Sequence, residues 1–378
     1  MRVAIIHYWL VSMRGGEKVL EAICRLFPEA DIFTHVYDPE KIPDTIRNHR
    51  IFTTFIDKLP RARQYYKHYL PLMPLALEQI DLRGYDLIIS SESGPAKGIV
   101  PPPGALHICY CHSPMRYVWN MYHGYRERTG WLQRLLMPPL CHYLRIWDST
   151  SSMRVDRFIA NSAAVAARIE KYYRRDAEVI HPPVNVELFD SVPAAEIEDY
   201  YLMAGELVTY KRPELAVEAF NALGRRLIVI GGGEMLAEVR KRAGPAVTVM
   251  GQQPFSVLRH HYARCRALIF PGEEDFGIVP IEVMASGRPI IAYRRGGLTE
   301  SVIDGVSGLF FEEQTATAIG DAVKEFERMQ FDPAVIKGQA HKFNAGRFTK
   351  EFAAAVERAL GHNINIMPHP KAPLHSIG

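Results

Sequence analysis

Residues 270–289 read FPGEEDFGIVPIEVMASGRP. An apolar strand ends here in a Gly and acidic turn, a helix is predicted to begin near Gly277 or Ile278, and a small-residue stop precedes the next strand. Strand, helix and strand in this order are typical of a parallel sheet that is buried on both faces. The helix directs free backbone N–H groups and the positive end of its dipole towards the end of the strand, which is the environment that a diphosphate needs.

Short apolar runs with the same rhythm occur along the rest of the chain. We expect strands at Val3 to His7, Asp86 to Ser90, His107 to Cys111, Arg157 to Ala160, Leu202 to Ala204, Leu227 to Ile230, Val247 to Met250, Ala267 to Phe270 and Pro289 to Ala292. The segment His181-Pro182-Pro183-Val184-Asn185 separates the first four from the others, because no helix can cross its two prolines. A last helical pattern runs from Phe348 to Leu360.

These patterns predict an α/β protein with two doubly wound, Rossmann-like domains, residues 1–190 and 191–360, that face each other across a cleft. A chain of 378 residues is too long for one hydrophobic core, which also favours two domains. Residues 361–378 contain three prolines and no periodicity, and we expect them to be disordered.

The composition excludes several classes of protein. A formal net charge of +3 is too small to indicate a nucleic-acid partner. The sequence contains no run of eighteen or more apolar residues, the length needed to span a bilayer. The amino terminus enters a strand pattern directly, without the apolar core of a secretory signal, so we expect a cytoplasmic protein. The five cysteines are odd in number and lie in apolar surroundings, which predicts buried thiols rather than disulfides.

Two carboxylates, Glu274 and Glu282, flank the start of the predicted helix. A carboxylate can accept hydrogen bonds from two vicinal hydroxyls, so one could hold a sugar and the other the ribose of a nucleotide. On spacing alone, helix capping is the commoner role for such residues.

The whole stretch resembles the family-four retaining glycosyltransferases, whose signature is E-x-F-G-x-x-x-x-E followed by a small-residue turn and Pro. Glu274 and Glu282 match this signature. Further motifs occur in the family's order: Gly15-Gly16, His112-Ser113-Pro114, Ala160-Asn161-Ser162, Lys211-Arg212-Pro213, Gly231-Gly232-Gly233-Glu234 and Gly296-Gly297-Leu298-Thr299-Glu300. The resemblance implies the two-domain GT-B fold and transfer of a sugar from a nucleotide sugar with retention of anomeric configuration.

The resemblance also implies roles for residues in both domains. His112 would contact the donor sugar near the reacting carbon, although a lone His is more often structural. Lys211 and Arg212 would stabilise the charge on the departing diphosphate. The candidate catalytic residues are thus His112, Glu274 and Lys211, and the candidate donor-binding residues are Gly15, Gly16, Arg212, Phe276, Gly277, Ile278, Val279 and Glu282.

Three local features test this interpretation. The two glycines Gly15 and Gly16 precede a helix that we expect to begin at about Glu17, where the alternative is a plain strand-to-helix turn. Glu206 stands after Gly205 where the family usually has an Arg that touches the diphosphate, so either Arg212 takes over that role or the phosphate site differs. No Asp-x-Asp occurs, so we expect neither a metal nor another cofactor, the nucleotide sugar being a co-substrate.

The triple glycine Gly231–Gly233 is a separate case. The third glycine of a dinucleotide fingerprint would fall on Leu236, so a loop beside the nucleotide is the favoured interpretation.

Two stretches of the first domain interleave basic residues with aromatics and leucines. They are Lys58 to Leu70 and Tyr125 to Trp147, the latter with Trp131, Arg134, Leu135, Leu136, Arg145 and Trp147. Such surfaces suit anionic lipid headgroups, and helices packed in the domain with solvated basic faces are the alternative. The first interpretation predicts a peripheral enzyme at the inner face of the cytoplasmic membrane, with a saccharide acceptor linked to polyprenyl diphosphate.

The segment from His112 to Trp119 also looks like that of mannosyltransferases of bacterial exopolysaccharide and lipopolysaccharide assembly, which points to GDP-mannose. A nucleotide-sugar epimerase of the same fold and a non-catalytic scaffold, for which Glu206 is the one hint, are the alternatives.

Overall fold

The computed structural model of the protein describes residues 1–361. Within them, the strands form two sheets. The first sheet contains β1 (Val3–His7), β2 (Asp31–Thr34), β3 (Ile51–Thr53), β4 (Leu87–Glu92), β5 (Leu106–Cys111), β6 (Arg157–Ala160) and β7 (Ala177–Val179). The second sheet contains β8 (Tyr201–Ala204), β9 (Leu227–Ile230), β10 (Val247–Gly251), β11 (Leu268–Phe270), β12 (Ile290–Tyr293) and β13 (Gly308–Phe311).

The helices fall between the strands, as expected of doubly wound sheets. They are α1 (Gly15–Leu26), α2 (Asp44–Arg47), α3 (Ala62–Tyr65), α4 (Met73–Glu78), α5 (Tyr122–Arg128), α6 (Trp131–Ser152), α7 (Ala163–Tyr173), α8 (Pro213–Leu223), α9 (Leu236–Arg242), α10 (Phe255–Arg264), α11 (Ile278–Ala285), α12 (Leu298–Ser301), α13 (Ala316–Phe326), α14 (Pro333–His341) and α15 (Ala345–Leu360). Short 3₁₀ helices lie at Pro39–Lys41, Phe55–Lys58, Tyr66–Leu72, Val186–Leu188, Ala194–Glu196 and Thr209–Lys211.

Both sheets reverse their strand order at one place. The first runs β3-β2-β1-β4-β5-β6-β7 and the second β10-β9-β8-β11-β12-β13, so the order reverses between β1 and β4 and between β8 and β11. Loops diverge at such a switch point, and ligands of open α/β sheets bind there, beyond the carboxyl ends of the strands.

Both faces of the second sheet are covered. Alternate residues of its central strand β8 enter two different cores, Leu202 on one face and Tyr201 and Met203 on the other. The same double burial explains why β1 in the first sheet reads VAIIH with every residue buried. Near-continuous apolar runs are typical of strands covered on both faces.

All nine predicted strands are present, which confirms the α/β class. Four further strands, β2, β3, β7 and β13, were not predicted. Each is only three or four residues long, and β3, β7 and β13 lie at sheet edges. The sequences of β2 (DIFT), β3 (IFT) and β7 (AEV) contain at most two consecutive apolar residues, fewer than the runs that marked the predicted strands.

The chain divides into two compact units, whose limits differ from the predicted domain ranges, residues 1–190 and 191–360. The first contains residues 1–159, 169–178 and the stretch that begins at Thr349, and the second contains residues 160–168 and 179–348. Helix α7 thus begins in the second unit and ends in the first. The predicted ranges placed α15 in the second domain, but Phe352 lies beside Tyr110, with 6.2 Å between ring centroids, and Arg358 pairs with Glu178 at 2.6 Å.

The predicted disordered tail, residues 361–378, lies outside the described residues except for Gly361. The five cysteines are all buried and unpaired, as predicted. Among residues 1–361 no helix has both the length and the apolar character needed to cross a bilayer.

Candidate active site

Glu274 lies at the carboxyl edge of the second sheet, in front of α11. Its backbone forms a single parallel β-bridge with Gly296, and α11 begins four residues later, at Ile278 as predicted. The Glu274 side chain is 17% exposed, and its Oε1 lies 2.7 Å from Nζ of Lys211, a side chain that is 16% exposed. Two predicted catalytic residues therefore form an ion pair beside the switch point between β8 and β11.

The position of Lys211 is set by the turn after β8. Residues Thr209–Lys211 form a 3₁₀ helix, and the carboxylate of Glu234 accepts hydrogen bonds from the backbone N–H and the hydroxyl of Thr209, at 3.2 and 2.8 Å. The loop after β11 packs against this turn, because a Cβ on Gly272 would lie 2.5 Å from the Cα of Lys211. This close packing brings Lys211 and Glu274 together.

Arg212 is held elsewhere. It takes a left-handed backbone conformation (φ 52°) at the N-cap of α8, and its Nε donates to Glu214 Oε1 at 2.5 Å. Glu214 in the first turn offsets the unfavourable interaction of a cation with the positive end of the helix. Arg212 therefore has a structural partner at the start of α8, and its donor-binding role stays a prediction.

The first turn of α11 offers backbone donors. Gly277 at the N-cap is left-handed (φ 93°) and has no side chain to cap the N–H groups of the first turn. Phe276 is buried and packs against His181 and Phe343, with 5.3 and 5.5 Å between ring centroids. The predicted residues from Phe276 to Val279 therefore form the positive end of a helix whose start is fixed by a buried ring.

Glu282 lies one turn into α11 and is buried. Its carboxylate accepts a hydrogen bond from the hydroxyl of Tyr262 on α10. Burial and this carboxylate together raise the pKa of Tyr262 well above its ordinary value. No pattern in the sequence indicated Tyr262, because it stands in an ordinary amphipathic helix. The predicted contact of Glu282 with a donor is not tested by this geometry.

The structure shows how two of the sequence motifs, Ala160-Asn161-Ser162 and the glycine motif that ends at Glu300, are connected. The carboxylate of Glu300 accepts hydrogen bonds from the backbone N–H groups of Ala163 and Ala164, at 2.9 and 3.3 Å, and so caps α7 from another element. His181 Nε2 lies 2.9 Å from the same carboxylate. Burial alone would raise the pKa of Glu300, but these partners hold it below its ordinary value.

His112 lies at the carboxyl edge of the first sheet, directly after β5. Its Nε2 is 2.9 Å from the hydroxyl of Ser91 at the end of β4. Burial of the ring and the nearby imidazole of His7 lower the pKa of His112 to about 3. The imidazole is therefore neutral at physiological pH and can offer hydrogen bonds but not a positive charge.

Gly15 and Gly16 are the first two residues of α1, so the helix begins two residues before the predicted start at Glu17. The reason is one half of a capping box: the carboxylate of Glu17, the third residue of the helix, accepts a hydrogen bond from the backbone N–H of Arg14 at 2.9 Å, with Arg14 as the N-cap. A Cβ on Gly16 would lie 2.2 Å from the hydroxyl oxygen of Tyr8 and 3.6 Å from Nε2 of His112. Gly16 thus permits the close approach of two side chains that the sequence did not connect.

Across residues 1–361, no group of three or more His, Cys, Asp or Glu side chains could hold a metal ion. The expectation of a metal-independent reaction stays a prediction.

Helix α6 presents an apolar surface at its N-terminal end. Trp131 is 79% exposed, and Leu132, Leu135 and Leu136 are also exposed. At the other end of this stretch the lipid-facing interpretation is wrong and the alternative, a helix packed in the domain, is confirmed. Trp147 is buried and its Nε1 donates to Glu78 at 3.2 Å, while Arg145 lies over the ring of Tyr122.

Two family models match successive parts of the chain. The model described as Glycosyltransferase Family 4 matches residues 13–188, and the model described as Glycosyl transferases group 1 matches residues 186–343. A D-inositol 3-phosphate glycosyltransferase of Streptomyces bingchenggensis is 31% identical over 237 residues, 53% of this chain and 51% of that protein. The alpha-1,3/1,6-mannosyltransferase ALG2 of Homo sapiens is 28% identical over 295 residues, 66% of this chain and 67% of that protein.

The chain spans about half the length of the first curated relatives that it matches. Among solved structures, sucrose-phosphate synthase from Thermosynechococcus elongatus has a TM-score of 0.70 at 19% identity, over 96% of this chain and 99% of that one. This likeness confirms the predicted GT-B fold with its two Rossmann-like domains. Since the two family models together cover residues 13–343, which include every predicted site residue, the chain belongs to the family-four glycosyltransferases, the glycosyl transferases of group 1.

Proposed function

We propose that the protein transfers mannose from GDP-mannose to a saccharide acceptor, with retention of configuration at the anomeric carbon. The observation that carries this proposal is the Lys211–Glu274 ion pair in front of α11. Free N–H groups at a helix start and a lysine suit the diphosphate of a nucleotide sugar. The adjacent carboxylate of Glu274 suits the hydroxyls of its sugar.

The proposed reaction breaks the bond between the anomeric carbon and the diphosphate oxygen and forms one to an acceptor hydroxyl on the same face. The proton of that hydroxyl passes to the diphosphate oxygen, so no protein base is needed. Lys211 and the first-turn N–H groups of α11 stabilise the negative charge that develops on the leaving diphosphate. Neutral His112 donates or accepts a hydrogen bond at the sugar.

We propose mannose as the sugar because one relative, ALG2, is named a mannosyltransferase, and the alignment with it covers 67% of its length. The acceptor is proposed to be linked to polyprenyl diphosphate, in bacterial polysaccharide assembly at the inner face of the cytoplasmic membrane. The exposed apolar residues of α6 support contact with a bilayer, because Arg134 is exposed beside them and suits anionic headgroups.

The test is a panel of radiolabelled nucleotide sugars, GDP-mannose and UDP-glucose included, incubated with a lipid extract of bacterial membranes. Wild-type protein is compared with Glu274→Gln and with the control Glu313→Gln, an exposed carboxylate next to β13. We expect mannose transfer by wild type and the control and its loss in Glu274→Gln. Epimerisation without transfer, or binding of no nucleotide sugar, would contradict the proposal and favour an epimerase or a scaffold respectively.

The configuration of the new bond is read by NMR of the product. An inverted anomeric carbon would overturn the proposed same-face reaction and leave the class of transfer standing.

A further inference from the structure

Three carboxylates stand in a row at the proposed donor site: Glu273, Glu274 and Asp275, here called the acidic triplet. The backbone is extended at its centre, where Glu274 forms the β-bridge with Gly296. Side chains alternate between the two sides of an extended segment. Glu273 and Asp275 therefore lie on one side, and Glu274 lies on the other side with Lys211.

One cation contacts both outer members of the triplet. Arg168, in the second turn of α7, is 12% exposed; its Nη2 lies 3.1 Å from Glu273 Oε1 and its Nη1 pairs with Asp275 Oδ1. Burial alone would lower the pKa of Arg168, but the two carboxylates raise it above its ordinary value. The planar guanidinium can hold two carboxylates in fixed directions, which a lysine ammonium cannot.

Both ends of this arrangement are anchored. The start of α7 is fixed by Glu300, which accepts hydrogen bonds from Ala163 and Ala164. The backbone of the triplet is fixed by Gly297, whose N–H donates to the carbonyl of Glu274 at 2.9 Å. Arg168 and the triplet therefore meet as two positioned parts and not as flexible surface groups.

We propose that Arg168 is a positioning residue for Glu274. By holding Glu273 and Asp275 on the side away from Lys211, it leaves Glu274 as the single carboxylate of the triplet that faces Lys211 and the donor. Without Arg168, two partly buried carboxylates lose a shared cationic partner, and they repel Glu274 and compete with it for Lys211. The inference rests on the proposed function for what Glu274 binds, but not for how Glu274 is held.

The first experiment measures the loop without any ligand. Amide hydrogen exchange is followed in the peptide that contains residues 294–300, because its Gly297 N–H reports the bond to Glu274. We expect Arg168→Gln to raise this exchange roughly threefold or more, with a smaller rise for Arg168→Lys. The control Arg225→Gln breaks an exposed ion pair with Glu327 in the same unit and should leave it unchanged. Unchanged exchange in Arg168→Gln would overturn the proposal.

The second experiment measures coupling to Glu274 through the affinity for GDP-mannose, by calorimetry. We expect Arg168→Gln to weaken binding about tenfold in the wild-type background and less than about twofold in the Glu274→Gln background, because it acts through that carboxylate. Equal losses in both backgrounds would overturn the positioning role. If wild type does not bind GDP-mannose, the proposed donor fails, and the exchange experiment alone decides the inference.

Discussion

The carboxyl edges of the two sheets carry different kinds of polar group. On the second sheet the groups are charged and partly exposed: Lys211 pairs with Glu274. On the first sheet the charged groups at this edge, Glu92 and Lys97, are fully buried and paired with each other, and the groups next to Gly16 are neutral. His112 is uncharged at physiological pH because its pKa lies at about 3, and burial raises the pKa of Tyr8 beside it above its ordinary value.

Since both sheets have the same order around their switch points, the fold does not cause this difference. The loops cause it. The turn after β8 is short and packs against the loop after β11, which places a lysine beside a carboxylate, whereas Gly16 packs against the ring of Tyr8. A charged edge suits a diphosphate, and neutral groups such as His112 suit sugar hydroxyls.

The largest effect should come from Glu274. Glu274→Gln keeps the size of the side chain but removes the charge that pairs with Lys211, and we expect kcat to fall on the order of 10²- to 10³-fold. Steady-state kinetics with GDP-mannose measure it, with Glu313→Gln as the control. A loss below about threefold would contradict the view that the charged edge carries the chemistry.

Removal of the cation should have the next largest effect. We expect Lys211→Met to lower kcat about 100-fold and to weaken inhibition by GDP about tenfold, because the diphosphate loses a positive partner and Glu274 loses its counter-ion. Lys211→Arg should retain part of the kcat and part of the inhibition by GDP, because it keeps the positive charge. The control is Lys241→Met, an exposed lysine on α9. Equal GDP inhibition in Lys211→Met and wild type would argue against a diphosphate at this edge.

The sequence predicted the charged edge better than the neutral one. The start of α11 follows from a local pattern, because a strand, an acidic turn and a helix are consecutive in the chain, and the family resemblance implied the role of Glu274. Arg168, Tyr262 and Tyr8 were missed, because each meets its site through tertiary packing and stands in an unremarkable helix or strand end. Arg212 was placed beside Lys211 by sequence adjacency, but a left-handed residue directs its side chain to Glu214.

Gly16 tests the close packing of the neutral edge. In Gly16→Ala the new Cβ would lie 2.2 Å from the hydroxyl oxygen of Tyr8, and we expect a loss of stability of about 1–3 kcal/mol. Tyr8→Phe removes that oxygen and should recover part of the loss in the double variant. Denaturant midpoints measure both. The control is Gly338→Ala in α14, where a Cβ would meet nothing within 4 Å. A double variant no more stable than Gly16→Ala would exclude this contact as the cause.

The exposed end of α6 tests whether the first unit also contacts a bilayer. We expect Trp131→Ser with Leu135→Ser to weaken binding to vesicles of phosphatidylglycerol about tenfold or more, since both side chains are exposed and apolar. The control is Met153→Ser, an apolar residue that is 72% exposed just after the other end of the same helix. Binding of each variant is measured by sedimentation with the vesicles. Similar losses in both variants would argue for nonspecific adhesion.

The smallest effect concerns the proton on His112. Because its pKa is lowered from 6.5 to about 3, the unfolded chain binds this proton more readily than the folded protein, and His112 lowers stability progressively as the pH falls below 6.5. We expect the His112 ring signals in NMR spectra to show no titration between pH 5 and 8, while free histidine in the same sample titrates. We also expect His112→Gln to lose less stability than wild type between pH 6 and 5, by up to about 1.4 kcal/mol. A His112 titration near pH 6.5 would place a charge on the first edge and remove the contrast with the second.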